Sequence, residues 1–115
     1  MASIIYKICA ATLWREAEAA GEFVGVSVDL ADGYIHFSTA EQVAETAARH
    51  FAGMAELVLV AVDAERLGAA VRYEPSRGGA MFPHVYGKLP LSAVRWVKPL
   101  ALGAGGRHLF PELAP

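Results

Sequence analysis

The chain has 115 residues, 55% of them hydrophobic, with 10 Lys and Arg against 12 Asp and Glu for a net charge of -2. Such a length suits one compact domain, the composition excludes a disordered chain, and the charge lacks the cationic excess that general nucleic-acid or anionic-membrane binding requires. Cys9 is the single cysteine, which excludes an internal disulfide and a cysteine-rich metal cage. No apolar run approaches the roughly 18 residues of a membrane span, and no charged-then-apolar leader is visible, so the expectation is a cytoplasmic domain in a reducing compartment.

Ser3 to Cys9 reads as a strand, with Ile4, Tyr6 and Ile8 on one face and Ile5, Lys7 and Cys9 on the other. Thr12 is placed to cap a short helix in which Leu13, Ala17 and Ala20 recur at helical spacing and Gly21 is the stop. Residues 21–33 have no clear period and read as a loop ending in the turn pair Asp32-Gly33. Tyr34 to Ser38 is a second strand, with Tyr34, His36 and Ser38 on one face and Ile35 and Phe37 on the other.

Thr39 opens a helix to about His50, with Gln42 completing a capping-box pattern and Val43, Ala47 and Phe51 forming its buried stripe. The unalternating run Leu57 to Val62 predicts a central strand covered on both faces. Ala70 to Glu74 is a shorter strand, residues 75–90 read as loop, and Ala93 to Val97 forms a last strand. The tail 99–115, punctuated by Gly and Pro, is expected to be irregular. Strands clustered late predict a single α+β domain over 1–115, with two main helices and an antiparallel or mixed sheet.

Polar residues are scarce: there is no Asn, one Gln, four His, five Ser and three Thr. Two windows hold many of them. In the first, His36-Phe37-Ser38-Thr39, a strand delivers His36 and Ser38 to one face just before a helix start. The backbone N–H groups there, with the Ser38 and Thr39 hydroxyls, suit a phosphate or carboxylate; equally, Thr39 serves only as a cap. In the second, Glu74-Pro75-Ser76-Arg77-Gly78-Gly79 continuing to His84 and Tyr86, the glycines permit close approach of a ligand. Arg77 suits a two-pronged grip on an anion, and Glu74 suits a base or a ribose hydroxyl; the plain alternative is a surface loop with a Glu74–Arg77 salt bridge.

Metal ligation finds no support, because His36, His50, His84 and Glu74 show no short ligand spacing. Ser38 and Ser76 lack a nucleophile elbow, and Cys9 sits mid-strand as a core thiol. Gly103-Ala104-Gly105-Gly106 opens no helix, so no dinucleotide fingerprint is present.

With Tyr6-Lys7-Ile8, Trp14, Asp32 to Thr39, Arg49 to Gly53, Tyr73 to Gly79 and Phe82 to Gly87 in that order, residues 3–98 resemble a bacterial family, domain-of-unknown-function family 952. The succession of strand, helix, Ile35 to Thr39, helix and the strand ending Val62-Asp63 is also distantly similar to the ADP-ribosyltransferase fold. That resemblance implies two packed antiparallel sheets, a split sheet, with NAD held in the cleft between them. It would put the nicotinamide ribose and phosphates near Tyr6 and Lys7, the His36–Thr39 block and the Arg77 loop. Tyr6 and Lys7 stand where that fold usually carries a His or Arg, and Glu74 stands near the place of its catalytic carboxylate.

The expected site therefore has Glu74 and His36 as catalytic residues. Its ligand-binding residues are Tyr6, Lys7, Ser38, Thr39, Ser76, Arg77, Gly78, Gly79, His84 and Tyr86, in a locally positive cleft. The expected ligand is a small anionic molecule such as NAD or ADP-ribose, with no nucleic-acid or membrane partner. The alternatives are a transferase or NAD glycohydrolase and a non-catalytic structural or partner-binding domain.

Overall fold

Ile4 to Ala10 form β1, and its alternation sorts side chains to two cores, as the sequence pattern predicts. The computed structural model describes residues 3–115 and, at Arg77, the backbone alone. Next in order come α1 (Ala11–Ala20), β2 (Glu22–Phe23), α2 (Ser27–Asp32), β3 (Ile35–His36), α3 (Val43–His50), β4 (Leu57–Asp63) and α4 (Ala64–Leu67). The chain continues through β5 (Val71–Pro75), β6 (Met81–Val85), β7 (Leu89–Pro90), β8 (Val94–Leu102) and β9 (His108–Leu109).

Three sheets result, in the strand orders β1-β4-β8-β9, β2-β7 and β3-β6-β5. Every ladder is antiparallel, so the mixed alternative in the sequence reading does not arise among the described residues. An isolated bridge joins the two larger sheets: the Tyr6 N–H donates to the Ser38 carbonyl at 2.8 Å, and the Ser38 N–H donates back to Tyr6 at 2.9 Å.

β4 lies between β1 and β8 and is buried on both faces. Val60 and Val62 pack with Ile5, Trp14, Phe23 and Ile35, while Leu59 and Ala61 pack with Tyr6, Val43 and Leu100. Each fully buried aliphatic side chain in such a strand contributes roughly 1.5–3 kcal/mol by leaving water. No helix among the described residues is long and apolar enough to cross a membrane.

The structure corrects the sequence reading in several places. The segment 21–33 contains β2 and α2, which are too short for a periodic signal to register. The segment 75–90 contains β6, the middle strand of its sheet, despite Pro83. Pro83 is tolerated because the β3 ladder ends at His36–His84, so the missing N–H falls just beyond it, while the Pro83 carbonyl still accepts from Phe37. The tail is irregular only in part: β8 runs on through Pro99 to Leu102 and β9 pairs with its last two residues, while residues 110–115 form no regular element. Pro99 lies beyond the reach of β9, so the side of β8 away from β4 is an open edge there.

α1 starts after Ala10 with no side-chain cap, so Thr12 lies inside the helix rather than capping it. The helix buries Trp14 and Ala17, leaving Leu13 exposed, and Gly21 ends it in the left-handed conformation with its N–H on the Ala17 carbonyl.

Candidate functional site

β1 on one side, β3 and β6 on another, and the α2 and α3 segments at the margins enclose a cleft of about 660 Å³. Ile8, Leu13, Val28, Phe51, Met54 and Phe82 give it largely apolar walls. Lys7, His36, Ser38, Ser76 and His84 bring polar groups to the same space.

The first polar cluster centres on Asp29, which is 2% exposed. Its Oδ2 accepts the Val26 N–H at 2.8 Å, and its Oδ1 accepts the His36 N–H at 3.0 Å. The Lys7 ammonium lies 3.1 Å and 3.0 Å from the two oxygens. His36 Nδ1 is 2.6 Å from Asp29 Oδ1, and its Nε2 is 2.9 Å from Asp32 Oδ2. An ionised carboxylate only accepts, so the ring form that satisfies both contacts carries a hydrogen on each nitrogen.

Burial pushes Asp29 up, but the Lys7 charge, the two backbone donors and the His36 ring outweigh it, and the carboxyl sits below the usual range. Burial pulls the Lys7 ammonium below an ordinary lysine, against the opposing pull of Asp29. Gly25 makes this packing possible: its φ is +108°, and a Cβ there would stand 2.6 Å from the Cβ of Asp29.

The second cluster centres on His84, 2% exposed and presented by β6. Its Nδ1 is 2.7 Å from Glu74 Oε1, the oxygen that also accepts the Tyr86 hydroxyl at 2.8 Å. These two donors, His84 first, hold the Glu74 carboxyl below its usual range, and the same carboxylate raises the Tyr86 phenol. Tyr34 stacks on the His84 ring, centroids 4.0 Å apart at 27°. With Nδ1–H on the carboxylate, the neutral ring presents Nε2 as an acceptor. That atom is buried and has no hydrogen-bond partner among the described residues, and the residue that carries it lines the cleft. Leaving a buried polar atom unpaired costs roughly 1–3 kcal/mol; Trp14 Nε1, in the apolar core, is a second such atom.

Of the residues expected from the sequence, Tyr6, Lys7, His36, Ser38, Ser76 and His84 line this one cleft. Glu74 and Tyr86 stand behind His84 rather than in the cleft wall. The Thr39 anion cradle is corrected. The Thr39 N–H donates to Gln42 Oε1 at 3.0 Å, the Gln42 and Val43 N–H groups donate to the Thr39 carbonyl, and α3 begins only at Val43. Those donors already have partners inside the turn.

Gly78 and Gly79 both take positive φ, 70° and 81°, and make the turn that the sequence anticipated, away from the cleft wall. The Arg77 side chain, expected to grip an anion, lies outside the described residues. Three of the groups expected to make the cleft positive are paired with carboxylates: Lys7 faces Asp29, His36 faces Asp29 and Asp32, and His84 faces Glu74, while His50 also lines the cleft.

Sequence reasoning missed Asp29 and Asp32 as His36 partners and Tyr34 as the plate over His84. A signal for Asp29 existed in Lys7 itself, a cation on an otherwise apolar strand face that required a buried carboxylate. Among the described residues, no group of three or more His, Cys, Asp or Glu side chains is placed to hold a metal ion.

The family model described as "Protein of unknown function (DUF952)" matches residues 8–97, most of the chain and nearly all of the cleft. The chain belongs to this family. Among solved structures, it is similar to the crystal structure of protein CC0527 from Caulobacter crescentus, at 51% identity and a TM-score of 0.88, over 92% of this chain and 93% of that one. The solution structure of CC0527 matches at 51% identity and a TM-score of 0.83, over 91% and 90% of the two chains. No curated protein matches the chain.

Proposed function

We propose that this DUF952 member binds a small molecule in the cleft, with His84 Nε2 as the atom that accepts a hydrogen bond or a proton from it. The observation that carries this reading is the buried His84 ring of the cleft lining, held by Glu74 through Nδ1 and unpartnered at Nε2. A carboxylate behind an imidazole fixes its tautomer, orients its ring and strengthens the far nitrogen as a base, which is what a general base requires. In this reading Glu74 is a positioning residue, and Tyr34 holds the ring plane by stacking. His36, engaged at both nitrogens, ties α2 to the cleft rim rather than reacting.

The likeness to the ADP-ribosyltransferase fold expected from the sequence, which neither the family model nor the matched structures support, would suggest NAD or ADP-ribose as the occupant. The described residues do not fit a pyrophosphate well. Lys7 and His36 are countered by carboxylates, the N–H groups at Thr39, Gln42 and Val43 are taken, and Glu74 is turned toward His84 and Tyr86.

Thermal denaturation with NAD, ADP-ribose and a panel of neutral ring compounds near 1 mM tests the reading. Stabilisation of the wild type that His84→Gln loses is the expected result. Equal stabilisation of both proteins, or of neither by any compound, contradicts it.

A further inference from the structure

We infer that the cleft selects a neutral molecule with an apolar, ring-sized body and a single O–H or N–H donor directed at His84 Nε2, in preference to a phosphate or carboxylate. The inference rests on the proposal that the cleft binds a small molecule, and it names the class of that molecule.

Three observations carry it. First, the volume of about 660 Å³ accommodates a molecule of one or two rings with room to spare, and the walls that would touch its body are Ile8, Leu13, Val28, Phe51, Met54 and Phe82. Second, two of the groups that bring a cation to the cleft are already held by carboxylates: Lys7 meets Asp29, and His36 meets Asp29 and Asp32, while His50 also lines the wall. An anion entering here would lose its hydration against largely apolar walls, and Lys7 and His36 reach it already neutralised by the carboxylates behind them. Third, the unpartnered atom is an acceptor in the neutral ring whose Nδ1 hydrogen goes to Glu74. With Glu74 taking the Nδ1 hydrogen, Nε2 repels an anionic oxygen and accepts only from a donor. A buried acceptor discriminates sharply against a ligand lacking the matching hydrogen, because that ligand leaves it unpaired.

The probes are three molecules of one shape: 2-naphthol, its O-methyl ether and 2-naphthoate, with AMP as a phosphate arm. The readout is the ring nitrogen resonances of His84 in the wild-type chain labelled with ¹⁵N at histidine, followed by titration. The expected result is that 2-naphthol moves the Nε2 resonance and binds about tenfold or more tightly than the ether, the value of one buried hydrogen bond. Naphthoate and AMP are expected to bind more weakly than 2-naphthol. If naphthoate or AMP binds tightest and moves His84, the cleft is a binding site but the ligand class is overturned. If the ether equals the naphthol, the donor requirement is overturned. If none of the four moves His84, the binding reading falls, and this inference with it.

Discussion

Lys7 and Asp29 are both buried and meet at 3.0 Å, which ties the middle of β1 to α2 across the margin of the cleft. Neither charge is stable there alone. Removing one partner of a buried ion pair typically costs about 3–5 kcal/mol, because the other charge stays buried and uncompensated. Lys7→Met and Asp29→Asn are each expected to lose stability in that range. Combined as Lys7→Met with Asp29→Asn, the loss should fall well short of the sum. Urea denaturation of the two single variants and the double variant measures this coupling directly.

The same carboxylates set the acid limit of the fold. Asp29 and Glu74 both titrate below the usual carboxylate range in the folded chain. A depressed group contributes stability that is complete above its unfolded value, about 4, and is lost as pH falls through the folded value. Melting temperature should therefore hold above about pH 5 and fall steeply below about pH 4. Asp29→Asn should be less stable at neutral pH yet show a shallower acid limb, which melting curves from pH 2 to 7 would reveal.

Gly25 controls whether Asp29 can reach its position. A methyl group there would stand 2.6 Å from the Asp29 Cβ on a backbone with φ of +108°, so both space and conformation oppose a side chain. Gly25→Ala is expected to cost more than about 1 kcal/mol, beyond the ordinary penalty at a strained glycine. The loss should persist when Asp29 is Asn, which keeps the Cβ that the methyl group would strike. Denaturation of the single and double variants measures both effects.

Much of this architecture is legible in the sequence. β1 announces its two faces because alternation is complete over seven residues, and β4 announces its burial because it has none. The cleft residues His36, Ser38 and His84 were recognisable as polar side chains in a chain with few of them. β6 was not legible: Pro83 and a glycine-rich approach mimic loop chemistry, and only the end of the β3 ladder explains why a proline is harmless there. α2 escaped notice because six residues hold fewer than two turns. The charge of the cleft escaped for a related reason. Lys7, His36 and His84 are visible as cations or potential cations, but their pairing with Asp29, Asp32 and Glu74 depends on chain geometry that spacing does not report.

Cys9 borders the cleft yet should be inert. Burial, with a smaller push from Asp29, moves its thiol up to about 11 against the opposing effect of Lys7. At pH 8 only about one thiol in a thousand is the reactive thiolate, and it is shielded as well. A disulfide reagent should modify the native chain very slowly and the urea-unfolded chain at the rate of a free cysteine. Rapid labelling of the native chain would mean that β1 is open to solvent on its cleft side.

The orientation of the His84 ring is the point on which binding, ligand class and the role of Glu74 all depend. A long-range ¹H–¹⁵N spectrum of the ligand-free chain at pH 8, labelled at histidine, reads the ring directly. The prediction is one His84 tautomer, with its hydrogen on the Nδ1 that faces Glu74 and a bare Nε2. Glu74→Ala should convert it to a mixture of tautomers. A wild-type ring carrying its hydrogen on Nε2, or one unchanged by Glu74→Ala, would contradict the account.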